Sequence, residues 1–230
     1  MSAPTVYLVS GANRGIGLAL VKAIASRSDD SIVFAGARNP AAATALAELV
    51  QQFSGRVQIL KLTSCDKDDN DAAVKEIEKI AGRLDIVIAN AGASDIVLHV
   101  NPGTDKTPVN VVGTHVLFQA TYALLSRSTA SPKFIPISSV AGSMTTGAAM
   151  PIGMLAYGIS KAAENYFARK LHFEYPDLAA FLFEREPLMK SLPLITPEKS
   201  ATSILDLVDT STREKDGGKF LNYDGTAFEW

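Results

Sequence analysis

Tyr157 and Lys161 stand four residues apart in Tyr157-Gly158-Ile159-Ser160-Lys161. On a helix that spacing puts both side chains on one face, one turn apart. A phenol ordinarily titrates at about 10 and is a poor acid–base group at neutral pH, whereas an ammonium beside it favours the phenolate. The pair is suited to proton transfer with a developing alkoxide. The spacing alone is common on helices, and three other segments give it weight: Ser10-Gly11-Ala12-Asn13-Arg14-Gly15-Ile16-Gly17, Asn90-Ala91-Gly92 and Ser138-Ser139. In the first, glycines permit a tight turn and close backbone approach to a pyrophosphate, and a following helix offers free N–H groups and a positive dipole end.

These residues need elements to hold them. Val6–Ser10, Ile32–Ala37, Val57–Leu62, Asp85–Ala89 and Lys133–Ser138 are short apolar runs that read as strands buried on both faces. Between them, Gly15–Ser28, Pro40–Phe53, Asp66–Ala81 and Val109–Ser126 carry apolar residues at helical spacing, and a further helix runs from about Tyr157 to Glu174. Such alternation implies a parallel sheet with right-handed crossovers and helices on both faces. No repeat or linker interrupts it. The expectation is an α/β chain with a single doubly wound Rossmann-type domain over residues 1–230, its parallel sheet having about seven strands, the sixth near Leu178–Phe183 and the last within Gly217–Gly225.

Composition narrows the function classes. A net charge of −2 gives no electrostatic case for nucleic acid or an anionic membrane. One cysteine, Cys65, allows no internal disulfide, as expected in a reducing, cytoplasmic compartment. No run is long enough for a membrane span, and Thr5–Val9 leads straight into the glycine segment without a leader. His99, His115 and His172 lack metal-ligand spacing, so no metal site is expected. Cys65 reads as a small buried filler rather than a reactive thiol.

The Gly-x-x-x-Gly-x-Gly spacing, with Asn90-Ala91-Gly92, Ser139 and Tyr157-x-x-x-Lys161, resembles the short-chain dehydrogenase/reductase family from Thr5 to about Asp177. Within it the chain looks most similar to the sniffer-type and fungal ketoreductase branch, whose members reduce small carbonyl compounds, diketones or polyketide-like aromatics. The resemblance implies that Tyr157 gives a proton to the carbonyl oxygen as hydride arrives from nicotinamide. It implies that Lys161 lowers the tyrosine pKa and binds the nicotinamide ribose, that Ser139 hydrogen-bonds the same oxygen, and that Asn110 holds a water linking Lys161 to solvent. Two hydroxyl donors would then meet the charge developing on oxygen.

For the dinucleotide, the resemblance points to Gly11, Asn13, Arg14, Gly15, Ile16 and Gly17 at the pyrophosphate, with Tyr157 and Lys161 at the nicotinamide end. Asn90, Ala91 and Gly92 would line the cofactor, although Asn90 could chiefly tie strands together. An NAD-specific member would carry an acid near Ala37; here Arg38 follows instead, and with Arg14 it suits a 2′-phosphate, favouring NADP(H). Thr63 takes the place often held by an adenine-contacting aspartate.

Two departures stand out. Ser139 and Tyr157 are 18 positions apart, longer than usual, and Met144, Met150, Ile152, Met154 and Leu155 in the interval suggest either an apolar wall beside the site or a packing surface. After the sixth strand no Pro-Gly turn or amide-clamping threonine appears, so the substrate lid between about 184 and 196 is either short or contained in a segment absent from this sequence. The leading expectation is an NADPH-dependent reductase of a small-molecule ketone or aldehyde. Alternatives are an NAD-dependent alcohol dehydrogenase and an idle NADP-binding regulator; a sugar-nucleotide epimerase is disfavoured by the lack of a second substrate domain at this length. A homodimer or homotetramer through the helices bearing Asn110 and Tyr157 is expected, though Arg169, Lys170 and His172 make the second helix polar near its end.

Overall fold

The computed structural model describes residues 3–93, 107–129, 131–151, 153–184 and 195–230. Its strands are β1 (Thr5–Val9), β2 (Ser31–Ala37), β3 (Val57–Lys61), β4 (Ile86–Ala89), β5 (Lys133–Ser138), β6 (Ala179–Ala180), β7 (Leu182–Glu184) and β8 (Phe220–Leu221). They form one sheet in the order β3-β2-β1-β4-β5-β7-β8, with β6 also paired to β5, and every strand pair is parallel. The expected sixth strand is thus divided into β6 and β7, which pair with successive parts of β5.

The helices are α1 (Gly15–Arg27), α2 (Thr44–Gln52), α3 (Lys67–Ala81), α4 (Thr107–Leu125), α5 (Leu155–Glu174), α6 (Pro197–Thr210) and α7 (Arg213–Asp216). Side-chain alternation along the strands divides the core into two layers. Tyr7 and Val9 of β1 pack with α1, α2 and α6, and Val6 and Leu8 pack on the other face with α3, α4 and α5. Strands buried on both faces explain the continuous apolar runs of the sequence. None of the helices is long and apolar enough to cross a membrane.

Local sequence sets several boundaries. Asp66 caps α3 by accepting from the Asp69 N–H at 3.0 Å, and Gly82 closes it in the left-handed region. Pro40–Phe53 is not one helix: Pro40–Ala42 forms a 3-10 turn before α2 begins at Thr44. The Tyr157 helix begins two residues earlier, at Leu155.

Helix α6 has no counterpart among the sequence expectations, although Thr196-Pro197-Glu198 is a legible start. The Thr196 hydroxyl accepts from the Lys199 N–H at 3.2 Å, and Pro197 occupies a first-turn position that needs no N–H. This helix packs against α1, where Arg27 pairs with Asp206 at 2.6 Å and Asp209 at 3.1 Å. The missing Pro-Gly turn and the lid expected between 184 and 196 fall almost entirely outside the described residues.

Candidate active site

The chain runs outward from β1 to β2 and β3, then returns to place β4 on the other side of β1. The crevice beyond the carboxyl ends of β1 and β4 is the topological switch point, where open parallel sheets bind ligands. The glycine segment and Asn90-Ala91-Gly92 meet there. Asn90 Nδ2 donates to the carbonyls of Ser10 at 3.0 Å and Gly11 at 3.2 Å, and the Ala91 N–H donates to Ser10 Oγ at 2.9 Å. Gly11 has φ +63°, and a Cβ on it would stand 2.8 Å from Ala91 Cα. A Cβ on Gly17 would stand 2.3 Å from the Gly11 carbonyl oxygen. These glycines let the loop close on β4 while Gly15 begins α1, whose N-cap Arg14 makes no side-chain capping bond to the first-turn N–H groups.

Asn13, Arg14 and Gly15 are exposed at the mouth of this loop, and Ile16 is buried behind them. Arg38, at the carboxyl end of β2, is also exposed, beside buried Ala37. Neither arginine side chain has an ion-pair partner among the described residues. Thr63 follows β3, half-buried; its hydroxyl, then Lys61, hold the Asp69 carboxyl below the usual range. Cys65 departs from the filler expectation. It is half-buried, with its thiol donating to the Pro108 carbonyl at 3.0 Å, and among the described residues it is the one non-glycine with positive φ, +66°. Burial pushes that thiol up, which suppresses the reactive thiolate.

Ser139, Tyr157 and Lys161 are brought together by the packing of the β5 end against α5. The turn Val140–Gly142 lies across the first turns of α5 at two glycines. A Cβ on Gly142 would sit 2.6 Å from the Lys161 carbonyl carbon, and one on Gly158 would sit 2.9 Å from the Ala141 oxygen. Ser138 Oγ donates to Asn165 Oδ1 at 2.5 Å, and Asn165 Nδ2 donates to the Gly142 carbonyl at 3.1 Å, which locks the turn to the helix. Tyr157 then packs against Ala141 and Met154.

The functional atoms differ in how they are occupied. Ser139 Oγ accepts from the Ala141 N–H at 3.3 Å, which leaves its own O–H to donate. The Tyr157 hydroxyl has no hydrogen-bond partner among the described residues, although the residue is only 9% exposed. Lys161 Nζ lies 5.8 Å from the Tyr157 ring centroid and donates to the Ile137 carbonyl at 2.8 Å. It also pairs with Glu164, which sequence reasoning missed. Its signal was legible: an acid three residues after Lys161, on a helix face that the Tyr157–Lys161 pairing already turns inward.

Asn110, on α4, has its side chain taken up by protein. Oδ1 accepts from the Ala93 N–H at 2.8 Å, while Nδ2 donates to the Ala93 carbonyl at 3.0 Å and to Ser160 Oγ at 2.9 Å. Its side chain therefore ties the loop after β4 to α5, and among the described residues no hydrogen bond links it to Lys161. Gly92 is exposed in that loop, and a Cβ on it would lie 3.8 Å from Lys161 Nζ. The interval between Ser139 and Tyr157 is not a continuous apolar wall: Met154 is buried against Tyr157, but Met144 and Leu155 face solvent at 75% and 68% exposure. Ile152 lies outside the described residues. Near Met144 the chain is tied to the carboxyl terminus, the Thr145 N–H donating to the Trp230 carbonyl at 3.2 Å.

Comparison with known proteins places this geometry. A family model described as short chain dehydrogenase matches residues 5–178. Norsolorinic acid ketoreductase of Aspergillus parasiticus is 33% identical over 256 positions, covering 98% of this chain and 91% of that protein. Those 256 positions exceed the 230 residues of the chain, so the alignment includes stretches this chain lacks. Among solved structures, the carbonyl reductase Sniffer of Drosophila melanogaster superposes with a TM-score of 0.87 at 25% identity, covering all of both chains. A carbonyl reductase from Pseudomonas aeruginosa in complex with NADP gives a TM-score of 0.81 at 25% identity, covering 98% of this chain and all of that one.

Proposed function

Because the chain belongs to the short-chain dehydrogenase family and is an oxidoreductase of that kind, we propose that it is an NADPH-dependent reductase of a hydrophobic ketone or aldehyde. The observation that carries this reading is the convergence at the β5–α5 junction: a Ser139 O–H free to donate, and a buried Tyr157 phenol without a partner among the described residues, next to an ammonium. Two hydroxyl donors at one junction suit an oxygen that gains negative charge.

The residues present fit a phosphorylated dinucleotide. Gly11 and Gly17 let the loop close against Ala91 and Asn90, which sets the start of α1 so that its first N–H groups can serve a pyrophosphate. Arg14 and Arg38, without ion-pair partners among the described residues, suit a 2′-phosphate, which guanidinium groups bind in bidentate fashion. When bound, the nicotinamide supplies the hydride. Tyr157 donates its phenolic proton to the substrate oxygen, Ser139 donates a hydrogen bond to the same oxygen, and Lys161 stabilises the resulting phenolate. Met154 beside Tyr157 gives the substrate side an apolar surface, in keeping with a hydrophobic carbonyl compound such as a diketone or aromatic ketone.

A panel of diketones, quinones and aromatic ketones, followed by loss of NADPH absorbance, tests the reading. At least one should be reduced, and Tyr157→Phe should lower turnover by about 10²–10⁴-fold while leaving NADPH binding nearly intact. Retention of more than about a tenth of the rate would remove Tyr157 as the acid.

A further inference from the structure

Glu164 is a carboxylate in an expensive place. It is 1% exposed, between α4 and α5, with no solvent to stabilise its charge. Removing a carboxylate from water costs several kcal/mol unless good partners replace the lost hydration. Oε2 accepts from Lys161 Nζ, and Oε1 lies 2.9 Å from Thr114 Oγ1, whose one proton is shared with the Asn110 carbonyl at 2.7 Å. Thr114 lies one turn along α4 from Asn110, and Glu164 one turn along α5 from Ser160. The two helices are therefore joined by successive polar rungs, Asn110–Ser160 and Thr114–Glu164. The first rung continues to the proton donor's own backbone, because Ser160 Oγ donates to the Tyr157 carbonyl at 2.7 Å.

This arrangement restrains Lys161. An ammonium has three donors; one is directed to Glu164 and one to the Ile137 carbonyl. Nζ also lies close to the backbone of Gly92, in the loop after β4, where its remaining donor can serve a bound ligand. The carboxylate also offsets part of the positive potential that Lys161 exerts on the phenol, whose ring centroid is 5.8 Å from Nζ.

We propose that Glu164 is a positioning residue for the reduction: its buried carboxylate anchors the Lys161 ammonium and sets how strongly that charge acts on Tyr157. The proposal rests on the reductase reading for its catalytic meaning, but the electrostatic coupling of Glu164 to Tyr157 can be measured without turnover. The groups facing Glu164 are few among the described residues. α5 contributes Lys161, with Tyr157 one turn before it, α4 contributes the uncharged Thr114, and β5 contributes the Ile137 carbonyl behind Lys161. His115, the next residue on α4, stacks edge-on against Phe167 at 5.5 Å, and Lys133 at the far end of β5 is bonded to the Val208 carbonyl. Burial pushes the Glu164 carboxyl up, opposed by the Lys161 ammonium and the Thr114 hydroxyl.

The test compares the full chain with Glu164→Gln, using the ultraviolet difference absorbance of phenolate in cofactor-free protein, with Tyr157→Phe as the blank. Without the carboxylate, the uncompensated ammonium should make the Tyr157 phenolate form at a pH lower by about one unit. The alkaline limb of NADPH-dependent reduction, which needs the protonated phenol, should move down equally. Glu164→Asp, which keeps the charge, should restore most of the original profile. If Glu164→Gln does not fold, Thr114→Val carries the test: it removes a donor that favours the charged carboxylate, so a smaller shift in the same direction is expected. An unmoved phenolate titration in folded Glu164→Gln, or in Thr114→Val if Glu164→Gln does not fold, overturns the proposal. Failure of the unmodified protein to reduce any carbonyl compound instead refutes the reductase reading, while the titration still decides whether Glu164 acts on Tyr157.

Discussion

Replacing Gly142 with alanine should separate folding from catalysis in a measurable way. The new Cβ would sit 2.6 Å from the Lys161 carbonyl carbon and 2.8 Å from the Ala162 nitrogen, whereas ordinary contact begins at 3.4 Å. About 0.8 Å must therefore open between the Val140–Gly142 turn and α5. The obstructing atoms are helix backbone, and Ser138–Asn165 and Asn165–Gly142 hold the two elements together, so neither side can yield freely. Overpacking of this kind costs about 2 kcal/mol, or about 4–8 °C in melting temperature for a chain of this size. The larger effect should fall on catalysis, because the turn carries Ser139 and the helix carries Tyr157. Displacing them relative to each other by most of an ångström should lower kcat by about 10²-fold. NADPH affinity should change much less, because the glycine loop and Arg38 are held by β1 and β2. Calorimetry, NADPH titration by fluorescence and steady-state reduction of one carbonyl substrate give the three quantities. A variant that melts within about one degree of the unmodified chain and retains its kcat would refute the argued tightness of this crossing.

Arg38→Asp should abolish or reverse the preference for NADPH over NADH, because it replaces an exposed guanidinium with a charge that repels the 2′-phosphate; equal affinity of the unmodified chain for both cofactors would contradict the assignment. Asp85→Ala should destabilise the fold by about 3 kcal/mol in denaturant titration, because Asp85 is 3% exposed and accepts from the Val6 N–H at 2.9 Å, Arg83 Nε at 3.2 Å and Ser128 Oγ at 2.5 Å. A homo-oligomer is expected through α4 and α5: Leu155, Ile159, Tyr166 and Phe173 form one exposed stripe along α5, and Val112 on α4 is exposed as well. Ile159→Asp with Tyr166→Asp should then give a monomer in light scattering at micromolar concentration, and a monomeric unmodified chain would refute this surface.

Strand–helix alternation was legible in the sequence because strands buried on both faces read as unbroken apolar runs and amphipathic helices carry their own period. Ser139, Tyr157, Lys161 and the glycine loop were legible for a related reason: each lies just beyond a strand or within one helix turn, where local spacing fixes relative position. Interactions between distant segments were not. Among the described residues of the apolar interval after Ser139, Met154 packs on Tyr157 while Met144 and Leu155 face solvent, and the turn beside Met144 is tied to the distant Trp230 backbone. The polar end of α5 concealed an apolar stripe, because Arg169 and Lys170 share that end with exposed Phe173. The family resemblance singled out Asn110, but only the folded chain showed its side chain committed to Ala93 and Ser160. Spacing alone placed Glu164 on the Lys161 face, but its burial came only when α4 packed on α5 and enclosed it with Thr114, 50 residues away in the chain. Short-range spacing can specify which groups share a helix face, but burial, and with it the strength of a charge, is decided by what the rest of the chain brings against that face.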